Sequence, residues 1–165
     1  MEVLEAAGCE VTIPSHWLCC GRPLYDYGML DQAERMLREI LDTLRDDIRA
    51  GTPIVGLEPS CVAVFRDELT NLFPHDQDAH RLSEQVLTLS EFLEQKLDGY
   101  EPPKLRRRAI VHGHCHHKAI IKMNAEQALL EKIGLDFEEP EPGCCGMAGS
   151  FGFEAGRRYD VATKV

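Results

Sequence analysis

Residues 4–21 and 130–146 align with a single deletion, and both end in Cys-Cys-Gly. The first reads Leu4-Glu-Ala-Ala-Gly-Cys-Glu-Val-Thr-Ile-Pro14, then Ser-His-Trp-Leu-Cys-Cys-Gly21. The second reads Leu130-Glu-Lys-Ile-Gly-Leu-Asp-Phe-Glu-Glu-Pro140, then Glu-Pro-Gly-Cys-Cys-Gly146. Each copy predicts a helix end, a glycine stop at Gly8 or Gly134, a short strand, a proline loop, the cysteine pair and a following helix. A unit repeated in this way constrains the chain to a duplicated α/β architecture.

The segment between the copies keeps the alternation. Leu30, Ala33, Leu37, Ile40, Leu41, Leu44 and Ile48 recur at helical spacing and predict one helix that stops at Gly51. Pro53 to Leu57 predicts a buried strand, with Cys61 just past its end. A helix over about 62–72 is broken by Pro74, and residues 80–97 predict a further helix that restarts at Ser90. Residues 99–104, with Pro102 and Pro103, predict a loop. Residues 107–112 predict a strand, Gly113 to Cys115 a loop, and 117–133 a helix. The expected fold is α/β: duplicated units with mostly parallel sheets flanked by helices and with cysteine loops at the carboxyl edge of the strands.

The phase of the repeat bears on domain organisation. A complete copy would hold a Cys115-type loop, a Cys-Cys-Gly and a Cys61-type loop, and each copy here lacks one of these. The expectation is one cysteine-rich domain of two incomplete pseudo-repeats, about 1–100 and 101–165, within a longer protein.

Composition narrows the function. Apolar residues at 44% beside charged residues at 28% describe a globular chain. The net charge of -10 repels phosphate backbones, so nucleic acid is not an expected partner. No apolar run nears the roughly 20 residues that cross a bilayer, and no signal peptide is visible; direct membrane insertion is not expected, and the chain is assigned to the cytoplasm. Seven cysteines in a reducing compartment point to metal binding or redox chemistry rather than to disulfides.

Adjacent cysteines make a poor structural device, because a disulfide between neighbours is strained and two nearby thiolates repel each other. A shared cationic centre removes that repulsion, and Gly21 and Gly146 let the backbone bend around it. The candidate ligands are Cys19, Cys20, Cys61, Cys115, Cys144 and Cys145. Cys9 aligns with Leu135 and reads as an apolar residue. His112, His114, His116 and His117 flank Cys115 and read as loop histidines, with direct metal ligation by one of them, or a hydrogen bond from His114 or His116 near the centre, as the alternatives. Trp17 reads as a lid or core residue. Glu58, Arg22 and Arg157 read as solvated charges, with support of the site as the alternative. The run Gly146 to Gly152 lacks the Lys-Ser/Thr ending of a phosphate loop. An iron–sulfur cluster is the leading reading, a structural zinc site the second and thiol–disulfide exchange the third.

The segments Leu18-Cys-Cys-Gly-Arg-Pro23, Glu58-Pro-Ser-Cys61, His112-Gly-His-Cys-His-His-Lys118 and Gly143-Cys-Cys-Gly-Met-Ala-Gly-Ser150 resemble the cysteine-rich CCG domain family. That family includes the cysteine-rich subunit of heterodisulfide reductase, the glycolate oxidase iron–sulfur subunit, the anaerobic glycerol-3-phosphate dehydrogenase anchor subunit and the C-terminal part of FAD-linked 2-hydroxyacid dehydrogenases. Arg22-Pro23 and Glu58-Pro-Ser-Cys61 look most like the last of these. The resemblance implies a [4Fe–4S]-type cluster on the six cysteines named. It also implies electron passage from FAD, on a partner domain or subunit outside this chain, to an acceptor that the residues do not specify. The implied substrate is a 2-hydroxy acid such as glycolate, lactate or 2-hydroxyglutarate. The best-known members have Cys-x-x-Cys where this chain has Glu58-Pro-Ser-Cys61, so a five-cysteine noncubane cluster is not implied.

Overall fold

The computed structural model describes residues 1–140, 146 and 151–164. Helix α1, Glu2–Ala6, stops at Gly8, whose φ of 85° suits a residue without Cβ. The strand expected after it is not formed: residues 9–20 are irregular, and Ile13 is exposed. A strand needs a partner for its backbone groups, and none of the described residues pairs with this segment.

Past Gly21 the chain turns into α2, Arg22–Asp26, then α3, Leu30–Thr43, and α4, Arg45–Ala50. The single helix expected over 30–48 is thus two, parted at Leu44. Its apolar stripe holds: Ala33, Leu37, Ile40, Leu41 and Ile48 are buried, while Leu30 at the leading end is exposed. After Gly51 (φ 77°) comes β1, Ile54–Gly56. Helix α5, Pro59–Arg66, starts with proline at its first position and is capped by Glu58, whose carboxylate accepts from the Cys61 N–H at 2.7 Å. Then follow α6, Glu68–Leu72, and α7, Gln77–Gln85, capped by the Asp76 carboxylate.

Residues 86–88 depart from expectation. Val86–Thr88 form β2, between α7 and α8, Leu89–Gln95. Thr88 makes a capping box with Glu91, which starts a new helix and ends the old pattern. Arg66 holds the turn, donating to the Val86 carbonyl and forking onto both Glu91 oxygens at 2.8–2.9 Å. β1 and β2 pair in parallel, Ile54 opposite Val86 and Gly56 opposite Thr88.

A second parallel pair joins β3, Arg108–Ile110, to β4, Asp136–Glu138, with Ala109 opposite Phe137. The single helix expected over 117–133 is broken here as well. A wide turn over His117–Ile121 ends at Lys122, whose φ is 75°, and α9 runs only over Asn124–Ile133 before Gly134. Beyond it lie a 3-10 turn, Phe151–Phe153, and α10, Arg157–Ala162.

Leu37, Ile48, Val62, Val64, Leu69, Leu82 and Val86 fill the main core, which also takes in Cys20 and Ile121. A second cluster around Leu87, Phe92 and Leu93 receives Leu4, Cys9 and Leu129. Cys9 therefore packs as the apolar residue its alignment with Leu135 implies. The second cluster and the Lys132–Glu94 ion pair at 3.2 Å tie α8 to α9, and so the two sheet-bearing halves to each other.

Candidate metal centre

Two of the six candidate sulfurs meet. Cys20 lies at the end of the irregular segment and Cys61 in the first turn of α5, yet their Sγ atoms are 3.0 Å apart. That separation is well beyond the roughly 2.05 Å of a disulfide bond, and both residues are free thiols. Contact with Cys61 and the Arg22 backbone N–H outweigh burial and lower the Cys20 pKa to about 7. The Cys61 thiol moves the opposite way, pushed up by its contact with Cys20, by burial and by Glu58. The pair is set to share one proton, with one sulfur a thiolate near neutral pH.

Backbone geometry holds this arrangement. Gly21 has φ of 74°, and a Cβ there would lie 3.2 Å from the Ala33 Cα, so the turn after Cys20 rests directly on α3. Glu58, exposed on the other loop, accepts from the Ser60 hydroxyl and the Cys61 N–H. Burial raises its carboxyl pKa, but the hydrogen bonds from Ser60 and Cys61 prevail and hold it below the usual range.

Arg22 is not the solvated charge expected of it. It is 9% exposed and forms an ion pair with the buried Glu68, with Asp26 at 3.5 Å. Burial would lower its pKa, but Glu68 and Asp26 raise it, so the cation persists. Its Nε and Nη2 and the Glu68 Oε2 are buried without hydrogen-bond partners. A fixed positive charge thus stands one residue from the Cys-Cys-Gly. No sequence pattern marks Glu68 as its partner, because the two are 46 positions apart.

Cys19 is half-buried beside Cys20, and Cys115 is exposed. Cys115 sits between His114 and His116, and the three ligand atoms all lie within 4.8 Å of one another. The two imidazoles stack with centroids 5.3 Å apart, and the His116 backbone N–H donates to His114 Nδ1 at 3.2 Å. Burial, with the charges of Arg22 and His114, depresses the His116 pKa. Helix α5, which carries Cys61, packs on the turn that follows Cys115.

Cys144 and Cys145 lie outside the described residues, but Gly146 does not. Its φ is 77°, and a Cβ would come within 2.5 Å of the Ala162 carbonyl oxygen, so it rests on α10 as Gly21 rests on α3. Trp17 is 79% exposed and is no core residue. Arg157 is exposed, as expected.

The donor set fits a thiophilic metal or an iron–sulfur cluster. Sulfur converges from an irregular segment and a helix start, a glycine leaves no room for a side chain at the bend, and a buried cation offsets negative charge. No described helix is long and apolar enough to cross a membrane.

The chain resembles known proteins in sequence. The family model of the cysteine-rich domain, CCG, matches residues 1–66. Lactate utilization protein A of Bacillus subtilis (strain 168) is 32% identical over 162 residues, covering 92% of this chain and 65% of that protein. The protein of the same name from Geobacillus kaustophilus (strain HTA426) is 30% identical over 166 residues, covering 94% and 67%. That of Oceanobacillus iheyensis is 29% identical over 160 residues, covering 92% and 64%. The chain thus spans about two thirds of the length of these relatives, and no solved structure matches it.

Proposed function

Because the chain belongs to the CCG cysteine-rich domain family, we propose that it is an iron–sulfur electron-transfer module of an oxidoreductase that oxidises a 2-hydroxy acid. Lactate is the acid named by its relatives and the preferred member of the class. In this reading Cys19, Cys20, Cys61, Cys115, Cys144 and Cys145 supply the ligands, and the cluster is of the [4Fe–4S] type. The cluster, when bound, accepts and releases electrons one at a time. The electrons come from a flavin on a partner domain or subunit, and the reducing cytoplasm keeps the thiols available.

The chain's own residues have separable parts. Cys20, from the irregular segment, and Cys61, from the first turn of α5, present sulfur at one point, and contact with Cys61 lowers the Cys20 pKa to about 7. Gly21 lets the backbone pass close to that point. The Arg22 backbone N–H interacts with the Cys20 sulfur, and its guanidinium, held by Glu68, compensates negative charge there. Glu58 fixes the first turn of α5, and with it Cys61, through the Cys61 N–H.

The 3.0 Å approach of Cys20 to Cys61 carries this reading. Its test is anaerobic reconstitution followed by iron and acid-labile sulfide analysis and an EPR spectrum of the reduced protein. Bound iron and sulfide, a reduced-cluster signal and loss of both in Cys20→Ser and Cys61→Ser are expected. A chain that stays colourless and iron-free, or one that takes up only zinc, overturns it. The same short separation favours one other reading, thiol–disulfide exchange at this pair, which predicts metal-independent exchange with a small-molecule disulfide.

A further inference from the structure

A cavity of about 350 Å3 opens between the two halves, at the carboxyl ends of the strands. Gly56 and Thr88, the last residues of β1 and β2, form one wall, and the segment after β3 forms the other. Parallel α/β sheets bind ligands at this edge, and the volume lies at the small end of the range for small-molecule sites. The position relative to sulfur is informative. Pro59 lines the cavity two residues before Cys61, and His114 lines it one residue before Cys115.

The lining has a definite chemistry. Aliphatic carbon dominates, supplied by residues such as Leu129. Against it stand the imidazoles of His112 and His117 and the carboxylate of Glu126. His117 is only 7% exposed, and what it exposes lines this cavity. An imidazole that lines a cavity offers a ring N–H to a ligand there. A ligand that suits these groups is short, carries an acceptor for imidazole N–H groups, a hydroxyl that can donate to Glu126, and a small alkyl end.

We propose that this cavity binds a short 2-hydroxy monocarboxylate, with the carboxylate on His112 and His117, the hydroxyl on Glu126 and the alkyl end on Leu129. The choice of acid class rests on the oxidoreductase reading above, while the location rests on the cavity alone. It goes beyond that reading by giving this chain a substrate-recognition site next to two candidate ligand loops, rather than an electron path alone.

Ligand-observed saturation-transfer NMR and calorimetry on the full chain test it, with L-lactate as probe and propionate, which lacks the hydroxyl, as control. Saturable lactate binding is expected, weaker by about tenfold for propionate, in keeping with one lost hydrogen bond involving a charged group. His117→Leu and His112→Leu should each weaken lactate by about tenfold or more, and Glu126→Gln should narrow the gap between lactate and propionate. His112 is exposed, so its variant keeps the fold whatever the effect at His117, and circular dichroism verifies this. Absence of saturable lactate binding to the folded chain, or unchanged affinity in His112→Leu and Glu126→Gln, overturns the assignment. Iron content, measured on the same samples, keeps the two readings apart. A loaded cluster without lactate binding refutes the cavity site alone, and lactate binding without iron refutes the metal reading alone.

Discussion

Replacing Glu68 by Gln should destabilise the chain far more than an ordinary loss of one hydrogen bond. The side chains of Arg22 and Glu68 are 11% and 9% exposed, so the variant leaves a guanidinium buried without its nearest counter-charge. Removing one member of such a pair costs about 3–5 kcal/mol. At about 2–4 °C per kcal/mol for a chain of this size, the melting temperature should fall by about 6–20 °C. The pair is also under-bonded, since Arg22 Nε and Nη2 and Glu68 Oε2 have no partners. Replacing both, as Arg22→Met with Glu68→Leu, should therefore restore wild-type stability or exceed it by about 1–4 kcal/mol. Thermal and urea denaturation of the metal-free, reduced protein, followed by circular dichroism, give all three values. A loss below about 1 kcal/mol in Glu68→Gln, or a double variant as unstable as the single, would refute the buried-pair argument. If Arg22 also balances cluster charge, the stable double variant should load iron but show a lower reduction potential.

Three further outcomes are expected. Gly146→Ala should cost more than Gly21→Ala in the same melts: both place a Cβ at positive φ, which costs about 1–2 kcal/mol, but Gly146 also meets the Ala162 carbonyl oxygen at 2.5 Å, where the nearest atom to Gly21 is at 3.2 Å. Thr88→Ala should remove the capping box that starts α8 and lower stability by about 0.5–2 kcal/mol, read from the urea midpoint at constant slope. Burial raises the Glu91 pKa, but Arg66 and Thr88 overcome it and hold the carboxyl below its unfolded value. The unfolded chain therefore binds the proton more readily, and Glu91 stabilises the fold fully above the ordinary carboxylate range and progressively less as pH falls through the folded value. Glu91→Gln should flatten the acid limb of a stability–pH curve, and an unchanged limb would exclude this role.

Much of the frame was legible in order along the chain. The stripe from Ala33 to Ile48, the glycine stops at 8, 51 and 134, and the strands near 54–56 and 108–110 depend on local periodicity and local backbone freedom. What local signals missed were strand choices. Val86–Thr88 sit within a helical pattern and become a strand because β1 offers a partner and Arg66 grips the Val86 carbonyl. Residues 9–13 carry a strand pattern without a partner among the described residues. In the candidate centre, the doubled cysteines and their glycines stood out from spacing, and the burial of Arg22 did not.

The amino-acid order by itself determined the parallel α/β frame and the doubled cysteines in glycine-bearing segments between its strands and helices. The tertiary structure alone decided that Cys20 meets Cys61, that Arg22 is buried against Glu68, and that His117 faces a cavity between the halves. The division has a physical cause. Periodicity and turn propensity act over a few residues, whereas proton sharing and charge pairing depend on distances in space between groups that the chain keeps 41 and 46 positions apart.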